Sequence, residues 1–307
     1  GVMARQWLLL QREIWEHKAL YYAPLAVAGL LVFGFVVSFV TALAQGMPFD
    51  VAVVTLELTG APFSVTGGAA ILGIPFLFLN LVLGVVVFLY GIDALYAERK
   101  DKSILFWRSM PVTDTETVIS KLITAVVAAP LITTAIVIAT QVVLLVLVSL
   151  VLLIGGGSPV ELLLGPLPFI QLWFLFLWIL LTSSIWFAPV IAWFLLCSAF
   201  AKRSVLIWVF VPWIVLGMLE SIVMRTGQVW QLIGERFSFA AVSGLDFPAG
   251  INVDDDAALE ALIKSGDFDV LGTIAPIKFL TDPGLWGGLV VTAIFLAGAV
   301  YCRRFRS

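Results

Sequence analysis

The chain has 307 residues, of which 62% are hydrophobic and only 12% charged, against about 45 to 50% apolar and about 25% charged in soluble globular domains. That balance excludes an ordinary water-soluble domain and marks an integral membrane protein. The net charge of −3 offers no basic excess, and no nucleic-acid partner is expected.

A helix that crosses a bilayer needs about 20 mainly apolar residues. Six stretches qualify, at 20–44, 68–96, 121–154, 168–200, 205–224 and 285–302. The expected fold class is all-α: a six-span domain over 20–302 behind an N-terminal amphipathic interfacial helix at 3–18. Met3 is expected to be the natural start, with Gly1 and Val2 an added remnant and no cleavable signal peptide. On the wheel of the first helix, Met3, Trp7, Leu10, Ile14 and Trp15 form one arc, and Arg12, Glu13 and Glu16 lie opposite. Leu9 on the polar side, and Gln11 and Lys18 on the apolar arc, depart from that pattern. His17 is the single histidine and is expected to be an interfacial side chain.

After the first span, 46–67 reads as an outer connection with Pro48, Pro62 and several glycines. The second span then runs into a charged and aromatic stretch, Glu98-Arg99-Lys100-Asp101-Lys102-Ser103-Ile104-Leu105-Phe106-Trp107-Arg108-Ser109-Met110-Pro111. A plain linker needs no apolar cluster, so Ile104, Leu105, Phe106, Trp107 and Met110 require a cover, either lipid headgroups or another protein. Thr113 and Glu116 have the spacing of a capping box. With Pro111 and Val112 as an elbow, the cap predicts a rigid junction between the loop and the third span.

The third span, 121–154, would reach about 50 Å at 1.5 Å per residue, beyond the hydrocarbon core of about 30 Å, and must tilt or project. An outer turn follows at 155–159. Span four carries Trp173, Phe174, Phe176, Trp178, Trp186, Phe187, Trp193 and Phe194, either an apolar translocation wall or lipid-facing bulk with interfacial belts. The inner connection 201–204 is four residues long, which makes spans four and five antiparallel neighbours. The outer segment 225–284 is too small for much core of its own. Within it 254–264 predicts a short helix, and Asp254, Asp255, Asp256, Glu260, Asp267 and Asp269 form an acidic cluster without calcium-loop spacing, read as a solvated face.

Orientation follows from the positive charges. Arg5, Arg12, Lys18, Arg99, Lys100, Lys102, Arg108, Lys121, Lys202, Arg203, Arg303, Arg304 and Arg306 fall on one side, and only Arg225, Arg236, Lys264 and Lys278 on the other. Both termini and the 98–121 loop are therefore expected in the cytoplasm.

One histidine excludes the H-E-x-x-H metalloprotease motif and leaves a Ser-His-Asp triad without a candidate in the membrane. Cys197 and Cys302 are too few for a disulfide framework or a structural zinc site. No G-x-x-x-x-G-K-[ST] string occurs, so any ATP must be bound by another polypeptide. Asp93 and Glu220 lie within spans, where ionisable groups are costly. With Asn80 and Gln141 they are too scattered for a proton relay, which weighs against a secondary transporter. Pro24, Pro75, Pro130, Pro189 and Pro212 are candidate kinks. No catalytic, cofactor-binding or metal-binding residue is assigned.

The topology, and above all the string from Tyr96 to Lys121, resembles the permease subunit of type-2 ABC exporters. Bacterial members read roughly E-R-x-D-x-S-x-L-F-x-x-S-x-P-V-x-x-x-x-x-x-x-S-K over this segment. The resemblance implies that 98–112 is a coupling helix seated in a groove of a separate P-loop ATPase. Phe106, Trp107 and Met110 would be its apolar anchors, Arg99, Lys100, Lys102 and Arg108 its steering and rim charges, and Glu98, Asp101 and Pro111 further parts of the docking element. It also implies two ATPase copies carrying ATP and Mg, a second permease copy as homodimer or related heterodimer, and export of a hydrophobic or amphipathic cargo such as a peptide, lipid or drug-like molecule. The alternative of another class is a membrane scaffold or sensor that binds a cytoplasmic partner through the same loop without transport. An intramembrane enzyme is the least supported, because no nucleophile, base and orienting group assemble.

Overall fold

The computed structural model describes residues 2–44, 53–58, 61–102, 112–154, 169–238, 244–246 and 269–305. The protein is a polytopic all-α membrane protein, with six helices among the described residues long and apolar enough to cross a bilayer. Helix α1 (Val2–Glu16) leads into the first span, α2 (Ala19–Ala44). A short antiparallel hairpin, β1 (Val53–Leu58) with β2 (Ala61–Thr66), lies in what reads from sequence as a plain connection. The run Val53-Val54-Thr55-Leu56 is β-branched and apolar, which favours an extended chain over a loop.

Helix α3 (Gly67–Asp93) and the short α4 (Tyr96–Lys100) form the second span and its extension. The third apolar helix is continuous over 41 residues from Asp114 to Ile154, about 60 Å at 1.5 Å per residue. It thus starts at the Thr113 cap and not at Lys121. Its parts are α5 (Asp114–Ile123), one π turn (Thr124–Ala128) and α6 (Ala129–Ile154). Pro130 has no amide to give to the carbonyl four residues back. The chain widens locally, and the Ala129 amide bonds to the Thr124 carbonyl five residues back.

The stretch 168–200, expected as one span, is two helices, α7 (Phe169–Trp186) and α8 (Ala188–Phe200). The break sits at Phe187, with Pro189 in the first turn of α8, where a missing amide costs least. Helix α9 (Val205–Val223) is the fifth span. Pro24, Pro75 and Pro212 lie inside unbroken helices, so of the five candidate kinks only Pro130 and Pro189 interrupt regular α-helix.

Helix α12 (Pro283–Phe305) packs along α8 more extensively than any other helix pair. Close approach is helped there by Gly298 of α12, which presents no side chain to α8, and Gly91 of α3 does the same where the second span meets α8. A Cβ at Gly91 would stand 3.0 Å from Phe194, and one at Gly298 3.1 Å from Leu196. The main core joins Tyr90, Leu95, Val118, Ala125, Ile191, Leu195 and Ala299 around this seam. Broad apolar faces such as Leu206, Ile207, Phe210, Ile214 and Leu219 on α9 remain outward, as lipid contact requires.

At the end away from the termini, α10 (Gln228–Ser238) and α11 (Pro276–Thr281) cover the bundle. Glu220 is the start signal of α10: its carboxylate accepts from the Gln228 amide at 2.7 Å and the Val229 amide at 2.8 Å. That assigns this intramembrane carboxylate a structural role. Trp230 fills the notch left by Gly217. Leu245 and Val270 share a cluster with Leu175 of α7, so this segment borrows a core that it is too small to make. The expected helix 254–264 and the acidic residues 254–267 lie outside the described residues; Asp269 accepts from the Gly272 amide at 3.0 Å and closes a turn.

The tryptophans of span four are anchors. Each donates its indole N–H across to another element: Trp173 to Gln141 Oε1 (2.7 Å), Trp178 to the Gly244 carbonyl (2.7 Å), Trp186 to the Arg236 carbonyl (3.1 Å) and Trp193 to the Val209 carbonyl (3.1 Å). Gln141 also donates to the Leu72 carbonyl at 2.7 Å, so it ties spans two, three and four together and is not part of an ion path.

Candidate functional site: a buried ion network beneath the 98–121 loop

Helix α1 turns one stripe, Gln6, Leu9 and Glu13, toward the bundle, at the spacing that lines one helical face. Gln6 donates to the Glu116 carbonyl at 3.3 Å. Leu9 and Glu13 are buried, whereas Trp7 is 62% and Trp15 71% exposed. The apolar arc thus faces outward, as an interfacial helix requires. Of the polar side, Glu13 and Arg12 face protein while Glu16 stays exposed, and this is why Leu9 stands among charges.

Glu13 is the deepest carboxylate, 1% exposed. Its Oε1 accepts from Lys121 Nζ at 2.8 Å and its Oε2 from the Tyr90 hydroxyl at 2.9 Å. His17 Nε2 stands 3.6 Å from the same oxygen, and its ring meets Tyr90 edge to face at 4.8 Å. Burial pushes the His17 pKa below its ordinary value, and Lys121 adds to this, against the upward pull of Glu13, Glu16 and Asp93.

Lys121, also 1% exposed, reaches a second carboxylate, Glu98 Oε1, at 3.0 Å. Arg12 Nη2 lies 3.5 Å from that same oxygen. The other oxygen of Glu98 accepts from Arg303 Nη1. Arg303 in turn donates through Nε to Asp114 Oδ1 at 2.8 Å. Arg12 is held more closely by Glu16, at 2.7 and 3.1 Å, so among the described residues four carboxylates, Glu13, Glu16, Glu98 and Asp114, meet three cations, Arg12, Lys121 and Arg303. Buried charge is tolerated when paired and hydrogen-bonded in this way.

The network gathers four separate parts of the chain: α1, the extension α4 of span two, the head of span three, and the tail of span six. These surround both ends of the loop. Before the loop, Arg99 Nη2 donates to the Ser198 carbonyl at 2.6 Å and the Ala201 carbonyl at 2.7 Å, a cation on the free carbonyls of the α8 C-terminus. After it, Thr113 and Glu116 form a full capping box: the Glu116 amide donates to Thr113 Oγ1 at 3.1 Å and the Thr113 amide to Glu116 Oε2 at 2.9 Å. An open cleft of about 440 Å³ lies beside the junction, between Thr113, Asp114 and Thr117 on α5 and Val300, Arg303 and Arg304 on α12.

Of the sequence-predicted docking residues, Glu98 belongs to the buried network and Arg99 to the α8 cap, so both side chains are turned into the molecule. Glu98 meets Lys121 and Arg303 there, and Arg99 is drawn to carbonyls. Lys100, Asp101 and Lys102 are exposed, and Lys102 takes a left-handed backbone (φ 57) that ends α4. Phe106, Trp107, Arg108, Met110 and Pro111 lie outside the described residues. Sequence reading missed Glu13, Lys121, Arg303, Asp114 and Tyr90. The signals present were Leu9 on a supposedly wet face and a cap at Thr113 placed two turns before the apolar run.

Among the described residues no group of three or more His, Cys, Asp or Glu side chains is placed to hold a metal ion. No family model, curated protein or solved structure matches this chain.

Proposed function

We propose that this protein is the permease subunit of an ATP-binding cassette transporter of the type-2 exporter kind, set in a bacterial inner membrane with both termini cytoplasmic. A separate P-loop ATPase supplies ATP and Mg, and the complete transporter holds two ATPase copies and a second permease. The cargo class is hydrophobic or amphipathic. The observation that carries this reading is the construction of the loop's base. A loop that only connects two spans needs no fixed ends, yet this one has Glu98 and Arg99 locked on one side and Thr113, Asp114 and Glu116 on the other. A docking element must have such ends if a push from a partner is to reach the membrane helices. The exposed Lys100 and Lys102 supply steering charge, and the Tyr96 to Lys121 string supports the same assignment.

Co-expression with a P-loop ATPase taken from the genes adjoining its own tests the proposal. The chain should co-purify as a complex with ATPase activity, and Phe106→Ala with Trp107→Ala should weaken assembly by roughly tenfold or more, as expected for aromatic anchors. Assembly and ATP hydrolysis untouched by the double substitution would sink the docking role. A complex that assembles but shows no cargo-dependent ATP hydrolysis would favour the scaffold or sensor.

A further inference from the structure

We infer that Arg303 is the clasp that closes the base of the loop and makes the loop and the last span move as one body. This rests on the reading of 98–112 as a docking element and adds span six to its transmission. Three observations carry it. First, the two ends of the loop are held by one guanidinium: Nη1 takes Glu98 before the loop and Nε takes Asp114 after it. Second, Arg303 is 3% exposed and sits in the last turn of α12, at the far end of the chain from both partners. Third, α12 is packed along α8 with a close approach at Gly298, so a pull on Arg303 is delivered to a packed pair and not to a loose tail. Arg99 reinforces this on the Glu98 flank by holding α4 to the end of the same α8.

The guanidinium geometry is what the role needs. Its planar fork presents two separate nitrogens to two carboxylates, whereas an ammonium, as at Lys121 between Glu13 and Glu98, bridges only carboxylates that both reach one nitrogen. Arg303→Lys therefore keeps the charge balance of the network while removing the two-sided clasp. If Arg303 only neutralises buried charge, lysine serves as well.

Hydrogen exchange on the full chain in lipid nanodiscs tests this without any partner. In Arg303→Lys, amides 94–102 and 112–117 should exchange about tenfold faster, a local opening made about 1.4 kcal/mol easier, while 125–150 in span three stays protected and shows that the variant is folded. Equal exchange at both flanks would overturn the clasp. The second arm uses the complex with its ATPase. On adding ATP and Mg, protection at 94–117 and at 294–305 should change together in the natural protein, and in Arg303→Lys the change at 294–305 should be lost while that at 94–117 persists. Persistence of both changes would overturn the coupling. If no ATPase co-purifies, the docking reading fails while the first arm still decides whether the clasp exists.

Discussion

The two ends of the bundle are fastened by opposite chemistries. At the end carrying both termini, charges from four distant segments meet in one cluster, with Glu13 and Lys121 almost wholly enclosed. At the other end the ties are neutral or single: indoles of Trp178 and Trp186 on backbone carbonyls, the Glu220 carboxylate on the α10 amides, and Arg236 stacked 4.3 Å over Trp186 while donating to the Gly284 carbonyl at 2.9 Å. A buried network of charges is costly to break at one point and near neutral to replace as a whole. Separate neutral bonds fail one by one, each at about 0.5–1.5 kcal/mol. The end beneath the loop is therefore built to shift as a unit, and the opposite end to be adjusted locally.

The largest expected effect separates the two directly. Lys121→Met strands Glu13, while Glu98 keeps Arg303 and Arg12, and thermal unfolding in detergent should show a loss of about 3–5 kcal/mol. The double variant Lys121→Met with Glu13→Gln should recover a substantial part of it, because the stranded charge goes with its partner. Additive losses in that cycle would mean that the two residues do not act together.

At the opposite end Gly217→Ala puts a Cβ within 2.5 Å of the Trp230 ring, a clash with a bulky side chain expected to cost about 1–3 kcal/mol. The effect should stay local. Protease sensitivity should rise across 225–246, with exchange at 94–121 unchanged. A change spreading to the loop would contradict the division drawn above. Thr113→Ala is smaller still, about 1 kcal/mol for a lost cap, and should appear as faster exchange at 114–117 alone.

Much of the fold was legible because the bilayer makes length and hydropathy decisive: six spans, the outward arc of Trp7 and Trp15, and the Thr113 and Glu116 cap are all local patterns. What escaped was long-range. Glu13, Glu98, Lys121 and Arg303 are far apart in the chain, and nothing in one sequence pairs them. Each taken alone reads as a charge near a membrane surface. The break of span four at Phe187 was hidden for a different reason, since Pro189 reads equally as a tolerated kink or as the first turn of a new helix.

His17 gives the smallest effect and distinguishes the two ends by pH. Its imidazole lies against Tyr90 and 3.6 Å from Glu13, and burial sets its pKa below the ordinary 6.5. The sign follows from linkage. With the docked pKa lowered, a detached α1 binds the proton more readily than the docked one, so docking is full above about 6.5 and is lost progressively as pH falls through the docked value. Exchange at 5–17 should therefore rise between neutral and mildly acidic pH, while α10 at the opposite end stays unchanged over the same interval. His17→Gln cannot titrate and should flatten the response. If the natural protein shows no rise, or if the glutamine variant keeps it, the imidazole is not the group that loosens α1.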